Sequence, residues 1–350
     1  MAEMNTNTAE LLQQMIDIKK DMRTAISNKG VTVVSGMESY PSAIDSIQQE
    51  IIGGSAKLPD GTKFSNSTFT TVPLFDTSAM TNMSGMFRSC YQLTTVPQFN
   101  TSNVTDMNEM FYGCSKLNSV PLFNTSNVTD MYSMFYGCTE LTTVPLFDTS
   151  NVTNMGWMFS WCNNKLTTVP QFNTSNVTNM DRMLHYCYQL TTVPQFNTSN
   201  VTNMNEMFRS CINLTTIPQF DTSKVTDMGA MFENCRKLTD LPILDLSKCT
   251  SVHGMFRQCY NLTNIGGFIQ LGKAFRTRTH VKWHLEDSAV LTRESCINIF
   301  NNLSTLNPLT NEGSTLTFNP AVIAKLSADD IAIATNKGWI IAEQEANTDY

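Results

Sequence analysis

The side chains able to do chemistry in this chain recur on a fixed beat. Ten cysteines are present in 350 residues. Eight of them, Cys90, Cys114, Cys138, Cys162, Cys187, Cys211, Cys235 and Cys259, stand 24 residues apart with one 25-residue step. Thiolates hold zinc or pair as disulfides, but structural zinc sites are built from closely spaced pairs such as C-x-x-C, and the chain has none. Equivalent points on neighbouring helices are expected about 8–10 Å apart, beyond disulfide reach. The cysteines therefore read as small buried hydrophobes. So many free thiols suit assembly in a reducing cytoplasm better than export through an oxidising compartment.

Other catalytic chemistry is sparse. Of the four histidines, His280 and His284 share one face of an alternating stretch, roughly 13 Å apart at the rise of a strand, too far to grip one metal. His185 and His253 each replace a different residue type in a single repeat, and Asp106, Asp130 and Asp227 recur where turns and caps need an acceptor. A Gly-rich phosphate loop, a nucleophile elbow and an H-E-x-x-H pair are all missing from the sequence. The expectation is a protein that is not an enzyme and that carries neither cofactor nor metal. Sequons such as Asn103-Val-Thr and Asn127-Val-Thr recur because Asn, Ser and Thr serve turns in every copy, not because glycans are needed.

Variation between copies says more. Bulky aromatics and arginines, among them Arg88, Tyr91 and Tyr112, collect where successive repeats differ, whereas the Thr-Thr positions hardly change. The densest section holds Tyr132, Tyr136, Trp157, Trp161, Arg182, His185, Tyr186 and Tyr188. Tyr, Trp and Arg are the residues most enriched at binding hot spots. Stacked aromatics also suit the C–H faces of sugar rings. These eight residues are the predicted contact patch for a glycan or a protein. The competing reading packs the same rings between adjacent coils.

The elements that must position this patch follow from the period. Pro73, Pro97, Pro121, Pro145, Pro170, Pro194, Pro218 and Pro242 keep the same 24-residue beat, the extra residue falling in Cys162-Asn163-Asn164-Lys165. A repeat of this length signals a solenoid in which each unit buries its apolar face only against its neighbours. Within one unit, Leu117, Val120 and Phe123 bracket polar positions as in a short strand, and the proline, lacking an N–H, should sit where the chain leaves the ladder. Val128, Met131, Met134, Phe135 and Cys138 recur at spacings of three and four, the pattern of one helix face. Ser126 or Asn127 would cap that helix and Gly137 would end it. The fold class expected is therefore α/β: a solenoid of about eight 24-residue strand-turn-helix coils, with the Met, Phe and Cys columns as its core.

The ends differ from the middle. Leu11, Met15, Ile18, Met22 and Ala25 form an a/d seam over a predicted helix at residues 9–28, suited to a small oligomerisation bundle. Arg276, Arg278, His280, Lys282 and His284 alternate along a predicted strand, where positive charge would blunt an exposed edge. Helices are predicted from Thr292 and from Ser327 to Gly338, with a strand at Leu316-Thr317-Phe318 between them. The division is 1–52 as a helical attachment segment, 53–68 as a linker and the start of the first coil, 69–272 as the repeats, and 273–350 as an α/β cap. A charged fraction of 15% with net charge −7 offers no basic footprint for nucleic acid, and no apolar run is long enough to cross a bilayer.

The repeat LTTVPxFxTSNVTxMxxMFxxC over residues 69–268 resembles the leucine-rich-repeat units of BspA-like surface proteins, a family also met in phages and prophages of gut bacteria. The segment LTRESCINIF…LSADDIAIATNKGWII is similar to the terminal cap of such proteins, and residues 9–47 resemble N-terminal segments of phage tail-associated proteins. The resemblance implies a leucine-rich-repeat-like solenoid and a non-enzymatic phage virion protein, tail-associated or fibre-like. It would contact other virion proteins, or copies of itself, through the N-terminal helix and recognise a host surface glycan or protein through the helical face. The alternatives it leaves are a bacterial cell-surface adhesin and a purely structural virion connector.

Overall fold

The computed structural model describes residues 58–270, 282–306 and 314–344. The seam at residues 9–28, residues 53–57 of the linker and the charged positions Arg276, Arg278 and His280 lie outside these. Lys282 and His284 fall on a described strand.

Residues 58–270 wind into stacked coils, one per proline. Each coil meets the next through isolated parallel bridges in unbroken series: Asn82 to Asp106, Asp106 to Asp130, Asp130 to Asn154, Asn154 to Asn179, Asn179 to Asn203, Asn203 to Asp227 and Asp227 to Ser251. Stacked parallel backbones rise about 4.8 Å per layer.

The expected helix in each coil is absent, and the backbone shows why. In the coil between Pro97 and Pro121, Met110 N donates to Met107 O (3.2 Å) and Cys114 N to Phe111 O (3.0 Å), closing two four-residue turns. Their third residues, Glu109 and Gly113, take left-handed φ values of 54° and 72°. A positive φ at that place is what a type II turn demands, and it cannot be continued as a right-handed helix. The amides that a helix would spend four residues back go to the next coil instead: Met107 N to Asp130 O, Glu109 N to Tyr132 O, Phe111 N to Met134 O and Gly113 N to Tyr136 O, at 2.6–3.1 Å. The strand-turn-helix unit is thus corrected to one of bridges and paired turns. Met, Met, Phe and Cys fall at the first and fourth residues of these turns, so a spacing of three and one imitates a helix face. Short strands do occur in the last coils, where β1 (Asp240–Leu241) pairs parallel with β3 (Asn264–Ile265) and β2 (Leu244–Asp245) with β4 (Phe268–Ile269).

Inside, like stacks on like. Met107, Met110, Phe111 and Cys114 and their counterparts up and down the stack are wholly buried. The rings of Phe87, Phe111, Phe135 and Phe159 lie 5.6–5.7 Å apart and 7–9° from parallel. Buried threonines form a polar thread through the apolar core. Thr101, Thr125, Thr149, Thr174 and Thr198 each donate from Oγ1 to a carbonyl of the following coil at 2.7–2.9 Å. That satisfies hydroxyls that would otherwise be costly to bury. The sequon asparagines are spent on the fold: Asn103, Asn127 and Asn151 donate from Nδ2 to the Ser carbonyl one coil back at 2.7–2.8 Å.

All ten cysteines are buried and unpaired. The distance argument against disulfides does not survive, because layers about 4.8 Å apart replace helices about 8–10 Å apart. What the thiols do instead is donate: Cys114 Sγ to Phe87 O at 3.0 Å, and Cys138 Sγ to Phe111 O at 3.2 Å. Burial pushes the Cys90 thiol up to about 11 and Cys138 further still.

At both ends of the stack some edge groups are met by neighbouring segments. At the start, Asp60 accepts from the N–H groups of Thr81 and Asn82 and from the Thr81 hydroxyl (2.6–2.9 Å), bonds that hold its carboxyl below the usual value. At the other end, Asp287 accepts from Gln258 N (2.7 Å) and Ser288 Oγ donates to Cys259 O (2.8 Å). Beyond lies a three-stranded parallel sheet of β5 (Lys282–Leu285), β6 (Thr315–Phe318) and β7 (Ile340–Glu343) in that order. Helix α1 (Arg293–Asn302), N-capped by Thr292, connects β5 to β6 and packs on β3 and β4. The short α2 (Pro320–Ile323) and then α3 (Ala328–Thr335) connect β6 to β7, with Ser327 and Asp330 forming a capping box on α3.

Candidate functional site

The paired turns put two outward corners on each coil, and these corners carry the variation. The left-handed pairs are 85/89, 109/113, 133/137, 157/161, 182/186, 206/210, 230/234 and 254/258. Most hold Gly, Ser, Ala, Asn, Gln or Glu. In two adjacent coils they hold Trp157, Trp161, Arg182 and Tyr186, with φ of 52–64°. A left-handed conformation costs a residue with a Cβ roughly 1–2 kcal/mol. Four of the eight predicted contact residues therefore stand at the corners least suited to them.

The eight do come together. Tyr136 stacks on Tyr112 with centroids 4.4 Å apart, and Trp157 follows at 5.8 Å from Tyr136. Arg182 lies 4.7 Å over the Trp157 ring, and His185 meets that ring edge-on at 5.8 Å. Tyr186 stacks on Trp161 at 4.4 Å and is met edge-on by His185 (4.2 Å) and by Tyr188 (5.7 Å). Tyr132 lies beside Gly156: a methyl group there would sit 3.2 Å from Tyr132 Cδ2 and 2.9 Å from Asn179 Nδ2, so the glycine leaves room for the ring. Tyr112 belongs to the same strip, with Arg88 4.6 Å over its ring. The sequence reading named both as variable but left them out of the patch.

Polar groups bind the strip to itself. Trp157 Nε1 donates to Asp181 Oδ2 (2.8 Å). Arg182 is paired with Asp181 (3.2 Å) and with Glu206, and Arg209 with Glu206 (3.1 Å) and Glu233 (3.4 Å). Burial works to raise the Glu206 pKa, but the bonds from Arg182 and Arg209 outweigh it and hold the group below its usual value. At Asp181 burial wins over Arg182 and Trp157, and the carboxyl is raised. Glu206 was invisible as a partner in the sequence. The clue is its place in the column of Trp157 and Arg182, which fixes it one coil beyond Arg182.

Three of these residues fall in the order of a catalytic relay. Ser160 Oγ is 3.1 Å from His185 Nδ1, and His185 Nε2 is 3.3 Å from Glu206 Oε2, though off the line of a hydrogen bond. A nucleophile needs access and an oxyanion site needs free donors. Ser160 is wholly buried, and Trp161 N beside it is spent on His185 O. Burial also drops the His185 pKa to about 4, more than the attraction of Glu206 restores, so the ring is neutral and a weak base. The trio is a support for Trp157 and Tyr186 from beneath. Among the described residues no group of three or more His, Cys, Asp or Glu is placed to hold a metal. No helix among them is long and apolar enough to cross a membrane.

Fold and strip together define a tandem-repeat solenoid with an interior of repeated columns and one decorated face. The chain belongs to a family described as Mycoplasma protein of unknown function, DUF285, whose model matches residues 61–169 and 158–268. No curated protein matches it. Among solved structures it is similar to a Treponema pallidum leucine-rich-repeat protein, 19% identical over 58% of this chain and 79% of that one, with a TM-score of 0.32. It is similar also to a leucine-rich cell surface protein of Faecalibacterium prausnitzii, 17% identical over 84% and 92%, TM-score 0.31. A leucine-rich-repeat protein of Eubacterium ventriosum is 16% identical over 75% and 88%, TM-score 0.33.

Proposed function

We propose that this protein is a non-enzymatic recognition scaffold, an adhesin that holds a macromolecular ligand against the strip from Tyr112 to Tyr188 and works at a bacterial cell surface. The observation that carries it is the placement of Trp157, Trp161, Arg182 and Tyr186 at left-handed corners. Large residues kept where the backbone disfavours them point to a use outside the fold. What supports the bacterial setting is the family, described from Mycoplasma. The test is binding of fluorescently labelled protein to a panel of bacterial and mammalian cells. Trp157→Ala with Trp161→Ala is expected to lower binding at least tenfold on the cells that bind; unchanged binding defeats the assignment.

A second reading, a phage virion protein attached through residues 1–52, draws on ten buried unpaired thiols, which suit assembly in a reducing cytoplasm. Mass spectrometry of purified particles and of cell envelopes separates the two, each requiring the chain in one fraction and not in the other.

A further inference from the structure

Building on the strip as the binding face, we infer that its occupant is a protein surface presenting uncharged apolar side chains, and not a carbohydrate. Sugar recognition needs two things: an open aromatic face for the C–H groups, and polar side chains with hydrogen bonds still to give. The strip spends its charged donors and most of its ring faces internally. Tyr112 is covered by Arg88 (4.6 Å) from one coil and by Tyr136 (4.4 Å) from the other. Trp157 has Arg182 over its ring (4.7 Å) and Tyr136 tilted against it (5.8 Å). Trp161 and Tyr186 shield one another at 4.4 Å.

The charged donors and the Trp157 N–H are accounted for in the same way. Trp157 Nε1 is taken by Asp181, and the Arg182 guanidinium by Asp181 and Glu206. Each arginine of the strip has a carboxylate within ion-pair reach: Arg88 with Glu109, Arg182 with Asp181 and Glu206, Arg209 with Glu206 and Glu233. With Arg257 3.7 Å from Glu233, four arginines meet four carboxylates, and no net charge is left to select a charged ligand. What faces outward is a row of ring edges, already ordered and losing little freedom on contact, with Trp161 37% exposed. Pre-ordered aromatics of this kind are what protein interfaces use as anchors. The contrast lies elsewhere on the same molecule, where Tyr91 and Tyr260 are 55% and 44% exposed.

The experiment probes the full-length protein on two surfaces, a random-sequence peptide array and an oligosaccharide array. Wild type is compared with a Trp161→Ala/Tyr186→Ala variant and with Tyr91→Ala. Trp161→Gly, which suits the left-handed corner, replaces the first variant if that one fails to fold. Expected are peptide spots rich in aliphatic and aromatic residues whose signal falls at least tenfold in the double variant and less than twofold in Tyr91→Ala, with sugar spots at background. Sugar spots lost in the double variant keep the strip as the site and overturn its ligand class. Peptide signal indifferent to the double variant, or two blank arrays, overturns both.

Discussion

Residues 154–188 and residues 227–260 trace one backbone path and differ at its corners. The first stretch sets Trp157, Trp161, Arg182 and Tyr186 on the left-handed positions, and the second sets Ala230, Asn234, Gly254 and Gln258 there. Inside, both carry the same Val, Met, Met, Phe and Cys columns, interrupted where Leu184 stands in the Phe column, Cys249 in the Val column and Val252 in the first Met column, and all are buried. The lesson is a division of labour. Inward residues are fixed by contact with the same residue one layer away, so a change there must be accommodated by two neighbours. Corner side chains lie outside those columns, although Ser133, Ser210 and Ala230 are buried, so the large residues that stand on them record use.

That comparison can be broken from the inside first. Phe135→Ala removes a ring stacked between Phe111 and Phe159 and is expected to cost about 3–5 kcal/mol. Chemical denaturation measures it, and a loss below 1 kcal/mol would mean the columns are not a packed core. Next comes the polar thread. Thr149→Val leaves the Asn173 carbonyl without its 2.8 Å donor inside the stack, at an expected cost of about 1–3 kcal/mol by the same assay.

The support under the strip sharpens the contrast through pH. His185 is neutral in the folded state, with its pKa brought down by burial to about 4 from an ordinary 6.5. Its contribution to stability is whole above pH 6.5 and is lost as pH falls towards 4, because the unfolded chain takes up the proton first. His185→Gln is therefore expected to flatten the wild-type decline in melting temperature between pH 6.5 and 4; an equal decline in both would show that the ring is not held neutral. A smaller effect concerns the thiols. Iodoacetamide should leave all ten cysteines of the native protein unmodified at pH 8 and modify them after denaturation, since burial raises their pKa and closes access.

Much of this was legible in the sequence, and the failures have two causes. The period, the buried columns of Met, Phe and Cys and the aromatic patch can be read from positions alone, because a repeat compares itself with itself. The helix at Val128–Cys138 could not be rejected that way. Residues at the first and fourth places of successive turns repeat as a helix face does, and only the left-handed φ of Ser133 and Gly137 separates the two. Gly137 was read as a helix stop when it is a turn corner. The 8–10 Å cysteine spacing failed with the helices. Glu206 and Ser160 were missed because partners one coil apart are 21–25 residues apart in sequence, and nothing local marks them. By contrast, Thr292 and Ser327 announce the helices that follow them, since a cap is a local device.

The most direct measurement pairs stability with binding in Trp157→Gly/Trp161→Gly. Glycine suits the left-handed corners, so relief of backbone strain offsets the lost ring contacts, and the melting temperature should hold or rise while cell binding falls at least tenfold. A melt lowered as far as that of Phe135→Ala, or binding left intact, would contradict the separation of a generic interior from a working face.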